Sequence, residues 1–378
     1  MKRIEYIDGL KGFAALIVFM GHFFLAFLEE IHGKYSIHLP ENISNILYIS
    51  PLKFFVNGSF MVGLFCILSA FFTCLYVINT NDNRKLILLF PKRYLRVVLP
   101  LMPMAIGVFI ISKLNLFYNT LCASITKSEW LTQFWQSPLS ILSILKSVFF
   151  TAPVLGDNTV NAVLWMLPFI LLGSIICIIL GLNYKSSPCI TYIYLIVLFC
   201  YYYNQSSLYL CAVLGSGLAV LYTKTKEIKV NKLVGCISVV FVMVGIFMGG
   251  YSDGAEQFRV YQILGNRISG WNICIIGSSF LVIGVMYSPA FQKFFSLKPF
   301  LYIGKISFSI FIIHLPVICT ISSFCFIKLI NQGVEYILCM LATLVITVVT
   351  VLGLSSLYYS FIEKQCSKLS VHILNKLP

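Results

Sequence analysis

Residues 334–360 read VEYILCMLATLVITVVTVLGLSSLYYS, 27 residues with one charge, Glu335, at the leading end. About 20 apolar residues cross a bilayer as a helix. A crossing segment must also satisfy its own peptide groups, which an α-helix does. This segment therefore reads as a membrane-spanning helix. Nine further stretches have the same character, at roughly 10–29, 58–78, 97–112, 162–182, 189–203, 207–222, 233–250, 271–287 and 306–330. The third, fifth and sixth are short, and the third contains Pro100 and Pro103. The expected fold is an all-α membrane protein, a bundle of about ten transmembrane helices. It is read as one domain over residues 1–378, with external segments at 30–57 and 113–161.

Composition agrees. Hydrophobic residues make up 59% of the 378 residues and charged ones 11%, against about 25% charged in soluble domains. Mean hydropathy is +0.92. The 32 Phe and 21 Tyr exclude a disordered chain, which is polar and poor in aromatics. The net charge of +14 could signal nucleic acid, but that needs a basic face on a folded surface. Here the basic residues fall between apolar stretches, so the expected partner is membrane lipid and not nucleic acid. The 13 cysteines are scattered through apolar segments without a CxxC pair. Neither a zinc site nor a disulfide framework is expected, and no metal.

The stretch 10–29 follows Met1-Lys2-Arg3 and ends at Leu28-Glu29-Glu30. It is too long for the apolar region of a signal peptide and lacks a small-residue cleavage site, so it reads as a span. With ten spans the loop charges alternate. On the N-terminal side lie Lys2, Arg3 and Lys11; Arg84, Lys85, Lys92, Arg93 and Arg96; Lys185; Lys224, Lys226, Lys229 and Lys232; Lys293, Lys298 and Lys305; and Lys364, Lys368 and Lys376. These nineteen face seven on the other side: Lys34, Lys53, Lys113, Lys127, Lys146, Arg259 and Arg267. By the positive-inside rule both termini are cytoplasmic in a multi-pass inner (plasma) membrane protein. The run from Ser137-Pro138 to Phe150 carries a helix-start signature and reads as an interfacial amphipathic helix or a packed lid. Asn42, Asn57 and Asn204 head N-x-S triplets.

Ionisable groups within spans are costly and are functional candidates by default. Asp8 and Lys11, three apart, share a helix face. His22 lies eleven residues past Lys11, about 16 Å along a helix. His314 lies nine past Lys305 in Ser307-Phe308-Ser309-Ile310-Phe311-Ile312-Ile313-His314. Both spans enter from one side, so the two histidines reach similar depths and suggest a shared polar cavity. Arg93 and Arg96 sit before the third span, three apart and on one face; guanidinium forks bind phosphates.

Together these residues resemble the acyltransferase 3 family of integral-membrane acyltransferases. Leu10-Lys11-Gly12-Phe13-Ala14-Ala15 through His22 is similar to the family's L-[RK]-G-x-A-A…His opening. Arg93 and Arg96 resemble its R-x-x-R. Leu68-Ser69-Ala70-Phe71 resembles L-S-G-F, and Leu164-Trp165-Met166-Leu167-Pro168 resembles its W-[ST]-L stretch. Leu301 to Lys305 and Ser307 to His314 resemble the late S-[YF]-S-x-[YF]-x-x-H pattern. Phe361-Ile362-Glu363-Lys364 resembles the terminal acidic signature. Three positions depart. Lys11 stands where Arg is commoner, Ala70 replaces Gly, and Ile170 occupies the place of a Glu three residues after the W-S-L Leu.

The resemblance implies an acyltransferase that takes acetyl or another acyl group from cytoplasmic acyl-CoA to a carbohydrate on the outer face. It implies a ten-helix bundle, a catalytic His22, and Arg93 and Arg96, with Lys92, at the CoA end. No permanently bound cofactor is expected; acetyl-CoA or another acyl-CoA is a co-substrate. In this reading a neutral imidazole at His22 takes the hydroxyl proton as general base. The thioester oxyanion needs a donor, for which Lys11, His314, Ser307 and Ser309 are candidates. Asp8 and Trp165 are candidate substrate-binding residues. Direct transfer and a covalent acyl-His22 both stay open. The rivals are a transporter or flippase for a glycan precursor, whose proton relays also use intramembrane His, and a catalytically silent member of a polysaccharide assembly complex.

Overall fold

The structure, a computed structural model, describes residues 4–33, 37–227, 230–252 and 258–375. Lys2, Arg3, Lys34, Lys229 and Lys376 of the charge pattern lie outside the described residues. Helices account for the fold, and no strand occurs among the described residues. Ten helices coincide with the ten apolar stretches: α1 (Glu5–Phe27), α2 (Gly58–Asn79), α3 (Leu89–Lys113), α4 (Ala162–Ser186), α5 (Pro188–Asn204), α6 (Leu210–Thr225), α7 (Lys232–Gly249), α8 (Gly270–Tyr287), α9 (Ser307–Asn331) and α10 (Tyr336–Asn375). Eight are long and apolar enough to cross a membrane, while α5 and α6 are shorter apolar helices. This is a multi-pass α-helical membrane protein.

Helix ends differ from the apolar runs in two instructive places. The third stretch begins at 97 by hydropathy, but α3 begins at Leu89. Pro91 lies in its first turn, where no backbone N–H is needed. Arg93 and Arg96 are therefore inside the helix and not before it. The last apolar run ends at 360, yet the helix continues through a widened π-turn, Tyr359–Glu363, to Asn375.

Two compact units divide the chain. The first comprises Met1–Val18, Ile49–Phe90 and Phe169–Lys305. Lipid tails are as apolar as Leu, so helices here associate through van der Waals fit and small residues. A Cβ on Gly304 would lie 2.0 Å from the Asp8 carbonyl oxygen, and one on Gly12 would lie 2.5 Å from the Gly304 nitrogen. The first turns of α1 thus press backbone to backbone on the helix Lys298–Lys305. On α6, a Cβ at Gly215 would stand 2.5 Å from the Ala70 methyl of α2. The Ala that replaces Gly in the L-S-G-F resemblance is thus accommodated by a Gly across the interface. Asn57 caps α2: its side-chain oxygen accepts from Phe60 N at 3.0 Å, and its amide donates to Gly249 O at 2.7 Å. Both ends of this buried N-x-S asparagine are engaged.

The second unit comprises Phe19–Tyr48, Pro91–Pro168 and Ile306–Pro378. The carboxylate of Glu30, in segment 30–57, serves the folding of this unit. Glu30, 4% exposed, accepts from Ile37 N at 2.7 Å, from Leu39 N at 2.9 Å, and from His38 N. The His38 ring stacks on Tyr336. Burial pushes the His38 imidazole below its usual value, a shift partly opposed by the Glu30 charge. In segment 113–161 the helix begins later than the Ser-Pro pair suggests. Ser140, not Ser137, caps Ile141 through a reciprocal box with Ser143, and Ile141, Leu142, Leu145 and Phe150 form an exposed apolar face.

Candidate active site

The second unit brings the two span histidines together. Helix α9 supplies His314, fully buried, from a backbone that is broken just beyond it. Pro316 carries no N–H, so the Ile312 carbonyl four residues earlier loses its helical donor. The buried side chain of Asn161 replaces it, donating Nδ2–H to Ile312 O at 2.9 Å. After Pro316 the helix widens into a π-turn, Ile318–Ser322, a form that concentrates at functional sites. Its loosened carbonyls also find donors: Ser323 Oγ reaches Ile318 O at 2.8 Å, and Tyr118 N reaches Cys319 O at 2.9 Å.

His22 lies five residues before the end of α1, about 7–8 Å along the axis. It is half-buried. Its Nδ1 is 2.8 Å from His314 Nε2, with the rings 6° from parallel. The partners assign the protons. Nδ1 of His314 faces the Ile310 carbonyl at 2.9 Å, which only accepts, so this nitrogen carries the proton. In a neutral ring Nε2 then holds the lone pair and accepts from His22 Nδ1–H. The same reasoning leaves the lone pair of His22 on Nε2, the atom a general base requires. The chain Ile310 O ← His314 ← His22 has the logic of a catalytic dyad with its orienting group, a carbonyl-anchored imidazole standing where a carboxylate often does.

A second polar cluster occupies the start of α9. The hydroxyl of Ser309, fully buried, donates to Glu363 Oε2 at 2.6 Å. Glu363 belongs to the π-turn of α10, and the Arg96 guanidinium of α3 acts on its carboxylate. Ser309 and His314 are five residues apart on one helix, about 7.5 Å along its axis.

The chain matches the Acyltransferase domain family, acyltransferase 3, over residues 4–353. It belongs to the acyltransferase 3 family. No curated protein and no solved structure matches it.

The sequence-predicted residues of this membrane acyltransferase thus fall into groups. His22 and His314 meet. Ser309 donates to Glu363, whose carboxylate also lies within the field of the Arg96 charge. Ser307, half-buried, opens α9; Lys92 is exposed and Arg93 half-buried in the first turns of α3. Trp165, half-buried, lies at the start of α4, where its carbonyl backs onto the left-handed Gly156. In the first unit, Lys11 Nζ is 3.5 Å from Asp8 Oδ1 and 4.2 Å from the centre of the Phe72 ring. A cavity of ≈ 790 Å³ in that unit, lined by Tyr6, Tyr76, Tyr222, Asn79 and Lys226 among others, contains none of the predicted site residues.

Sequence reasoning did not single out Asn161 or the contact of Trp130 with His22, and it treated Glu363 only as part of a signature. The Pro316 ring was a usable signal for Asn161, because a proline in a span announces an orphan carbonyl four residues back. Nothing in the sequence announces which distant residue answers it.

Proposed function

We propose that this acyltransferase is an O-acyltransferase that uses acyl-CoA, with acetyl the expected group, to modify a carbohydrate hydroxyl of a surface polysaccharide or glycoconjugate. The observation that carries the reading is the ordered pair His22–His314. A sugar hydroxyl is a weak nucleophile, and His22 Nε2 takes its proton as the oxygen attacks the thioester carbonyl. The acyl–oxygen bond forms, the carbon–sulfur bond breaks, and the thiolate leaves with the proton from His22. His314 holds the imidazole in the productive tautomer. Its own Nδ1–H is engaged by Ile310, and the Ser309 hydroxyl proton is engaged by Glu363. In this reading the oxyanion donor comes from Lys11, Ser307, Ser309 or His314, each of which exchanges a partner it already has. Lys92, Arg93 and Arg96 serve the CoA phosphates, the charge of Arg96 being tempered by Glu363. Asp8 and Trp165 are assigned to substrate binding, the protein sits in the inner membrane with both termini cytoplasmic, and the acceptor approaches from the outer face.

Ile170, in place of the family's Glu, favours a second reading, a silent member within a polysaccharide assembly complex. One experiment separates them. Membranes containing the protein are given radiolabelled acetyl-CoA, and label is followed into acetate and into glycan. His22→Ala is expected to lower turnover by about 10²- to 10⁴-fold, the usual contribution of a general base, at unchanged protein level. Full turnover in that variant refutes the assignment. No turnover by the unsubstituted protein favours the silent reading.

A further inference from the structure

The imidazole of His22 has two ring neighbours, placed differently. His314 meets its edge through the nitrogen–nitrogen contact. Trp130 stacks against it, with ring centroids 5.2 Å apart and planes 17° from parallel. Trp130 comes from segment 113–161, and that segment is built to hold it in place. Ser128, 2% exposed, donates its hydroxyl to Leu25 O at 2.6 Å and accepts from Leu131 N at 3.1 Å. Glu129 N donates to the Glu29 carboxylate at 2.8 Å. Asn119 donates to the carbonyls of Leu131 and Phe134 at 3.0 and 2.9 Å. Lys127 and Trp135, on either side, have φ of 58° and 51°, a left-handed conformation that costs energy in non-glycine residues and persists only where the surroundings over-determine it. Trp135 is held by its N–H on Val160 O at 3.1 Å and by stacking on Phe117 at 4.3 Å.

We propose that Trp130 is a catalytic residue of acyl transfer, its indole face stabilising the imidazolium that His22 becomes when it takes the acceptor's proton. The proposal rests on His22 being the base. An aromatic face carries a negative quadrupole, and a cation within about 6 Å of it is attracted, most strongly by Trp. A neutral imidazole gains little from that face. The attraction therefore grows as the proton moves from the hydroxyl oxygen to Nε2, and only interactions stronger in the transition state speed the chemical step. The proton later leaves Nε2 with the departing thiolate, and the face returns to a neutral partner. The other titratable groups that act on His22 are His314 and His32. Simple packing would fill the same space, but it would be indifferent to the electron density of the ring.

That indifference supplies the test. Tryptophans bearing one to four fluorines are incorporated at position 130, which keeps the shape and drains the π face. Turnover is read with radiolabelled acetyl-CoA, alongside Trp130→Leu and His22→Ala. The logarithm of the rate is expected to fall in steps with each fluorine, toward a loss of about 5- to 30-fold in Trp130→Leu, the range of a partly to fully desolvated cation–π contact. A flat fluorine series, whatever Trp130→Leu does, overturns the role of Trp130 and leaves that of His22 standing. Full turnover in His22→Ala overturns both. Should Trp130→Leu fail to accumulate, the fluorinated proteins still decide the question, because none of them changes the packing.

Discussion

The two units are made of equally apolar spans and are held together in opposite ways. In the first, backbones approach until there is no room for a methyl group, as at Gly304 on Asp8 and Gly215 on Ala70. In the second, helices carry prolines and π-turns; the Ile312 carbonyl that Pro316 releases is answered by the side chain of Asn161, and Ser323 Oγ adds a second donor to Ile318 O in the π-turn. The difference follows from the solvent. Lipid offers no hydrophobic drive between helices, so regular helices gain most from close contact. An irregular helix is tolerated only where other groups satisfy its backbone. Donors recruited for that purpose bring polar side chains to membrane depth, and such places are where chemistry is possible. The histidine pair lies in the unit with the broken helices.

This contrast predicts different consequences for substitutions in the two units. The largest effect on rate is expected in the second. His314→Leu removes the acceptor for His22 Nδ1–H and frees the imidazole to adopt the wrong tautomer. Turnover of radiolabelled acetyl-CoA should fall by up to about the 10²- to 10⁴-fold expected for loss of the base itself, with KM for the donor unchanged. His314→Gln, whose amide oxygen can still accept, should recover part of the loss. Equal inactivity of the two variants, with a raised KM, would mean that His314 only packs.

In the first unit the expected loss is of folded protein and not of rate per molecule. Gly304→Ala forces a Cβ toward backbone atoms of α1 that have no flexible end to yield. Overpacking of this kind costs about 1–3 kcal/mol or more, read as a lower melting temperature in detergent. Gly353→Ala on α10 is the control: no atom lies within 4 Å of the new methyl, and Ala favours a helix by up to about 1 kcal/mol. If both substitutions behave alike, close approach is not what holds the first unit.

Much of this was legible in the sequence, for a reason of scale. Span length, alternation of loop charge and the spacing of residues along one helix are local properties. His22 follows Lys11 by eleven residues, and His314 follows Lys305 by nine. That near-equality suffices to suggest that the two imidazoles reach one level. What depends on partners remote in the chain was not legible. Glu363 answers Ser309 across 54 residues, and Trp130 lies on His22 across more than a hundred. Hydropathy also misplaced the ends of α3 and α10, because it marks where apolar side chains stop and not where backbone hydrogen bonds do.

The smallest predicted effect isolates the rule that separates the units. If Asn161 is present because Pro316 withholds an N–H, its value depends on that proline. Asn161→Leu alone leaves the Ile312 carbonyl buried without its donor, at a cost of about 1–3 kcal/mol. In a Pro316→Ala background the backbone N–H restored at position 316 reaches the same carbonyl, and Asn161→Leu should then cost much less. The coupling between the two sites is expected at about 1–2 kcal/mol, well above the few tenths seen for independent positions. Thermal unfolding followed by a thiol-reactive dye reads this directly, since Cys122 and Cys319 of the same unit are buried until the helices separate. Additive losses would show that Asn161 stabilises α9 in some way unrelated to its proline, and the contrast between the units would lose its physical cause.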